Sequence, residues 1–124
     1  MILATIFLCS VLSVYDGDTF KVRCPIWPGI IAEESLRVRN LDTPELRGKC
    51  EHEKELAQQA KKLALEMLKE VEISNIDRDK YGRLLADVQV NIGGKKVSWS
   101  SYLIGRGLGR PYDGGKRQSW CNSM

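Results

Sequence analysis

Glu51-His52-Glu53-Lys54-Glu55-Leu56-Ala57-Gln58-Gln59-Ala60-Lys61-Lys62-Leu63-Ala64-Leu65-Glu66-Met67-Leu68-Lys69-Glu70 contains neither proline nor glycine. Apolar residues recur at 56, 60, 63, 64, 67, 68 and 71, which is helical spacing along one stripe. Glu51, Glu53 and Glu55 crowd the first turns, where the helix dipole favours negative charge. Lys62 and Glu66 can pair at i, i+4. The pattern predicts one long helix over 51–70, with His52 a bland residue at its exposed start.

Strand patterns flank this helix. Upstream, Val14-Tyr15 runs into the turn signal Asp16-Gly17-Asp18, and Thr19-Phe20-Lys21-Val22-Arg23 then alternates apolar with charged, so a hairpin is expected. Pro25 to Gly29 reads as a breaker-rich loop. Ser35 to Leu41 alternates again, with Leu36 and Val38 on one face and Arg37 and Arg39 on the other. Pro44 ends that strand by removing a ladder donor. Downstream, Val71-Glu72-Ile73-Ser74 and Arg83 to Val90 read as strands around a turn at 77–82, and Gly93-Gly94 stops the second. Ser98 then caps a short helix through Trp99, Tyr102 and Leu103 that stops at Gly105 or Gly107. Three strands, a helix, two strands and a helix suit a mainly β, α+β fold. The form expected is a five-stranded OB-type Greek-key barrel, with an open α+β sheet as the alternative.

At 124 residues the chain fits a single domain, 1–124. Hydrophobic residues at 43% and charged residues at 28% are ordinary for a globular protein and exclude a disordered or fibrous one. A net charge of +3 permits a polyanionic partner without arguing for one. Ile2 to Val14 carries no charge, yet it is shorter than the roughly 20 residues a membrane span needs. Cys9 to Tyr15 is read as a buried first strand, with residues 1–8 as the remnant of an export segment or part of that strand. The four cysteines at 9, 24, 50 and 121 lack C-x-x-C spacing, so zinc is not indicated. Cys50 and Cys121, both in polar, turn-like sequence, are the candidate disulfide; free buried thiols are the alternative.

Charged residues concentrate where strands end: Asp16-Gly17-Asp18-Thr19, Arg37 through Asp42-Thr43-Pro44-Glu45, and Asp79-Lys80-Tyr81-Gly82-Arg83. Each alone is an ordinary turn. Together they offer what phosphodiester hydrolysis requires: hard oxygen ligands for a cation, a base for water, and fixed positive charge for phosphate oxygens. Asp18 and Asp42 are donors of the kind that Ca²⁺ or Mg²⁺ prefers. Glu45, three residues past Asp42, can face the same pocket. Arg37 and Arg83 present planar forks that match two phosphate oxygens.

These stretches resemble the staphylococcal nuclease, or thermonuclease, family in order and spacing from Val14 to about Tyr112. The resemblance implies an OB barrel with helices and a nuclease that cuts DNA and RNA with little sequence specificity. It implies a requirement for Ca²⁺, with Mg²⁺ less suited, and 3′-phosphate ends. It assigns the metal to Asp18, Asp42 and the Thr43 carbonyl, the attacking water to Glu45, and phosphate and transition-state contacts to Arg37 and Arg83. Tyr81, Tyr112 and Lys116 become candidate substrate contacts, with Lys116 or Arg117 on the phosphate backbone. Three departures stand out. The Cys24 to Ser35 loop is longer than in the staphylococcal enzyme, the loop after Glu45 is shorter, and only Tyr112 stands where that enzyme has a tyrosine pair. The ending Arg110-Pro111-Tyr112-Asp113-Gly114-Gly115-Lys116-Arg117 is similar to that of shorter bacterial exported members. A monomer is expected, secreted or periplasmic, with the cytoplasm as the alternative. The rival function is a non-catalytic OB-fold nucleic-acid-binding module.

Overall fold

The structure, a computed structural model, describes residues 5–121. Four positions of the proposed export remnant, 1–4, lie outside the described residues. Eight strands and two helices follow in the order β1 (Phe7–Asp16), β2 (Thr19–Trp27), β3 (Ile30–Val38), β4 (Leu41–Asp42), α1 (Glu51–Met67), β5 (Glu70–Arg78), β6 (Leu84–Ile92), β7 (Lys95–Ser98), α2 (Trp99–Gly105) and β8 (Arg110–Pro111). The protein is mainly β with two helices, an α+β fold.

Five long strands pair in the order β3-β2-β1-β5-β6, and β3 also pairs in parallel with β6 through Leu36↔Leu84 and Val38↔Ala86. The pairings therefore close on themselves. Alternate residues point inward: Phe20, Val22 and Cys24 from β2, Leu36 and Val38 from β3, Val71 and Ile73 from β5, Ala86, Val88 and Val90 from β6. Each larger apolar side chain buried here stabilises the fold by about 1.5–3 kcal/mol.

The remaining three strands are short, and none was foreseen. Gly93 and Gly94, at φ 61° and 84°, make the two-residue turn that returns the chain as β7 along the edge of β6. Lys95-Lys96-Val97-Ser98 is too short and polar to announce itself. Asn40, at φ 61°, breaks the continuous Ser35–Leu41 strand that alternation suggested. Leu41 and Asp42 then pair with Pro111 and Arg110 of β8.

Three other expectations change. Pro25–Gly29 is not a long loop, because β2 continues through Pro25 to Trp27 before a tight turn at Pro28-Gly29, with Gly29 at φ 83°. Pro25 faces Ile31 of β3 only, an edge position where a missing N–H is tolerated. β1 is longer than Cys9–Tyr15 and covered on one face: Cys9 and Asp16 are buried and Phe7, Val11 and Val14 pack partly against the core, while Leu8, Leu12 and Tyr15 are exposed. Helix α1 stops at Met67, because Glu70 already pairs with Ser10 of β1. Its buried stripe is made of alanines (57, 60 and 64) more than leucines, and Leu65 faces solvent.

Helix α2 is capped at both ends. The Ser98 hydroxyl accepts from Ser101 N–H. At the other end Leu108 N–H reaches Leu103 C=O and Gly107 N–H reaches Ile104 C=O, a Schellman pattern with Gly107 at φ 73°. Trp99, fully buried, donates its indole N–H to Gly17 C=O at 2.8 Å, tying this helix to the β1–β2 turn. The sulfurs of Cys9 and Cys24 are joined, as are those of Cys50 and Cys121.

Candidate active site

The β1–β2 turn buries two carboxylates. Asp16 Oδ1 accepts from Asp18 N–H at 3.1 Å, and both residues are 6% exposed. Burial, and then the neighbouring Asp18 charge, push the Asp16 carboxyl up to about 8. Asp18 has a counter-charge: its Oδ2 lies 3.2 Å from Arg37 Nη1 and accepts from Thr43 N–H. Gly17 between them keeps the turn close to its neighbours, since a Cβ there would stand 3.1 Å from Ala60 Cβ and from Thr43 Cγ2.

Arg37 extends from β3 and is half spent on structure. Its Nη1 donates to Leu41 C=O at 2.6 Å and to Val38 C=O at 3.2 Å, stapling the corner at Asn40. That corner delivers Asp42 and Thr43, both almost fully buried. Asp42 has both oxygens engaged: Oδ1 accepts from Arg117 Nε at 2.8 Å, and Oδ2 from Trp120 Nε1 at 3.1 Å. The Thr43 carbonyl accepts from Arg117 Nη2 at 3.4 Å, while its hydroxyl oxygen has no hydrogen-bond partner among the described residues.

Glu45 sits on the loop that follows, its side chain half exposed and paired with Arg117 Nη1. That loop is held from beneath by Glu53, which accepts from Glu45 N–H with one oxygen (3.1 Å) and from Lys49 N–H with the other (3.0 Å). Gly48 permits the approach, because a Cβ there would meet Glu53 Cγ at 2.5 Å. Glu53 is therefore a positioning residue for Glu45 and not simply a first-turn charge. Its sequence signal was an acid three residues after the helix N-cap, Cys50.

The β5–β6 turn orients Arg83, which precedes the stretch of β6 paired with β3. Asp79 accepts from Arg83 Nε at 2.7 Å and from the N–H groups of Arg83 and Tyr81. Burial raises the Asp79 carboxyl and these hydrogen bonds outweigh it, leaving the group below the usual carboxylate range. The Arg83 guanidinium lies 5.4 Å from the centre of the Tyr81 ring.

An open cleft of ≈ 680 Å³ brings Asp18, Arg37, Glu45, Tyr81, Arg83 and Tyr112 to one lining, together with Arg117. Asp42 and Lys116 line a neighbouring cleft that Tyr112 shares. Tyr112 donates its hydroxyl to Gly115 C=O, and Arg37 lies 6.0 Å from its ring centre. Asp16, Glu53, Asp79, Arg117 and Trp120 hold or orient these groups, and reading the chain residue by residue gave none of them that task.

Asp18, Asp42 and the Thr43 carbonyl offer only hard oxygen donors, and Thr43 N–H bonded to Asp18 keeps the two segments together. Among the described residues no three His, Cys, Asp or Glu side chains converge as a ready cage. The donor set fits a hard divalent cation that keeps water ligands, as Mg²⁺ and Ca²⁺ sites do.

Five strands whose pairings close on themselves, with carboxylates and arginines lining one cleft, make this a small mainly β, α+β protein. The chain belongs to the staphylococcal nuclease family: the model described as staphylococcal nuclease homologue matches residues 35–120. Arg37, Asp42, Thr43, Glu45, Tyr81, Arg83 and Tyr112 all lie within that span, and Asp18 precedes it. No curated protein matches the chain.

Proposed function

We propose that this protein is a metal-dependent nuclease that hydrolyses phosphodiester bonds of DNA and RNA with little sequence specificity and leaves 3′-phosphate ends. One observation carries the reading: Asp18, Glu45, Arg37 and Arg83, from four separate segments, line one cleft. The five paired strands read as an OB-type barrel, a fold whose open face suits nucleic acid.

Asp18, Asp42 and the Thr43 carbonyl would hold Ca²⁺, in preference to Mg²⁺. Bound there, the ion supplies Lewis-acid polarisation of a phosphoryl oxygen. Glu45, held by Glu53 from below, orients the attacking water and takes its proton. Arg37 and Arg83, at the ends of the neighbouring strands β3 and β6, both reach the phosphate and neutralise charge that grows in the transition state. Tyr81 offers an exposed face for a base, with Tyr112 and Lys116 lining the path beyond it. Contacts to phosphate rather than base edges leave sequence unread.

A monomer acting outside the cytoplasm is the accompanying reading. Two disulfides support an oxidising compartment. No helix among the described residues is long and apolar enough to cross a membrane. Cleavage of DNA and RNA in Ca²⁺ against chelator, for wild type and Glu45→Gln, tests the function. The expected result is Ca²⁺-dependent cutting that the variant lowers by orders of magnitude. Binding without cutting in any divalent ion would instead make this a non-catalytic OB-fold binding module.

A further inference from the structure

Arg117 enters the cleft from the C-terminal strap and places its guanidinium on the oxygens assigned above to the cation. Nε and Nη2 lie 2.8 and 2.6 Å from Asp42 Oδ1, Nη2 lies 3.4 Å from the Thr43 carbonyl, and Nη1 pairs with Glu45. Three of the oxygens that the nuclease reading needs free are thus covered by one fork. The strap that delivers it is anchored on both sides. β8 pairs with β4 at Leu41↔Pro111, and Cys121 is bonded to Cys50 at the start of α1. Trp120 is buried against Asp42, and Arg110 stacks 3.9 Å from its ring centre and donates to Ser119 C=O. Between the anchors, residues 113–119 are exposed rather than packed into the core.

We propose that Arg117 is a tethered competitor of the divalent cation, which must displace its guanidinium from Asp42, Thr43 and Glu45 before it binds. The identity of the contested oxygens as metal ligands rests on the nuclease reading. Charge makes the exchange reasonable: Arg117 compensates the buried Asp42, whose other side-chain partner among the described residues is the neutral Trp120 indole N–H. Once a cation is bound, the released guanidinium remains tethered at the mouth of the cleft, where an incoming phosphate can take it up. The strap thereby links metal occupancy to a site for substrate. A competitor that occupies the site nine-tenths of the time weakens apparent metal affinity about tenfold.

Calorimetric titration of the full chain with Ca²⁺, without nucleic acid, tests this directly. Arg117→Gln is expected to bind Ca²⁺ roughly three- to tenfold more tightly than wild type, with Arg117→Lys in between because an ammonium cannot span both carboxylates. Equal or weaker binding by Arg117→Gln, or no binding by any form, overturns the proposal. A second measurement needs no substitution. Phenylglyoxal labelling of Arg117, read by peptide mass spectrometry, should accelerate in saturating Ca²⁺, while Arg23, paired with Glu33 outside the cleft lining, stays constant. Labelling that is unchanged or slowed overturns it as well. Cleavage assays on the same samples separate the two ideas. Tighter binding without any cutting removes the nuclease reading and leaves the competition standing, whereas cutting with unaltered metal affinity does the reverse.

Discussion

Arg37 and Arg83 carry the same charge in different surroundings, and that difference separates their effects. Arg37 is mostly buried and donates to two backbone carbonyls as well as pairing with Asp18, so it holds the corner that positions Asp42. Arg83 is more exposed, and among the described residues its side chain is tied to Asp79 and the Tyr81 ring. Arg37→Ala should therefore cost about 1–3 kcal/mol of stability in denaturant melts and also depress kcat. Arg83→Ala should lower kcat about a hundredfold or more, with little change in the melt or in KM. An Arg83 variant that loses substrate affinity and keeps kcat would place that arginine in ground-state binding instead. The chain marked both arginines by type and spacing. Burial, which splits their roles, depends on neighbours 18 and 41 that only folding brings close.

At the scale of elements, two turns and one helix end carry the site. The Asp79 carboxyl lies below its ordinary range, so its contribution is present above pH 4 and is lost as pH falls through the folded value. The melting-temperature difference between wild type and Asp79→Asn should accordingly be constant from neutral pH down to about 4 and shrink below it. A difference that grows in acid would refute the pairing. The start of α1 carries a second test. Glu53 accepts two loop N–H groups, and Glu53→Gln must turn an N–H donor toward one of them. A loss of about 1–3 kcal/mol is expected, together with a fall in kcat through misplacement of Glu45. Full activity at reduced stability would limit Glu53 to a structural role.

For the whole molecule, the disulfides differ in reach. Cys9–Cys24 closes a separation of 15 residues and Cys50–Cys121 one of 71. Chain-entropy reasoning assigns about 3 kcal/mol to the first and about 4 kcal/mol to the second. Replacing each pair with serine and comparing chemical denaturation checks the order. Loss of Cys50–Cys121 should also disturb the cleft, because that bond anchors the strap beside Asp42; loss of Cys9–Cys24 should leave activity unchanged. Inactivation by the Cys9–Cys24 replacement alone would contradict this division of labour.

Sequence periodicity determined the helix from Glu51, the alternating strands on either side, and the α+β class, because these follow from local burial patterns with periods of 3.6 and 2. Residue type at the strand ends, together with the family resemblance, marked Asp18, Arg37, Asp42, Glu45 and Arg83. Short strands such as Leu41–Asp42 and Arg110–Pro111 carry no periodicity, and a pairing between residues about 70 positions apart has no local trace. Only the tertiary structure decided that pairing. With it came the facts that Glu53 supports the Glu45 loop, that Trp120 covers Asp42, and that Arg117 lies across the carboxylates. The physical reason is common to all three: a charge's task is set by what shares its burial, and burial is a property of the assembled fold.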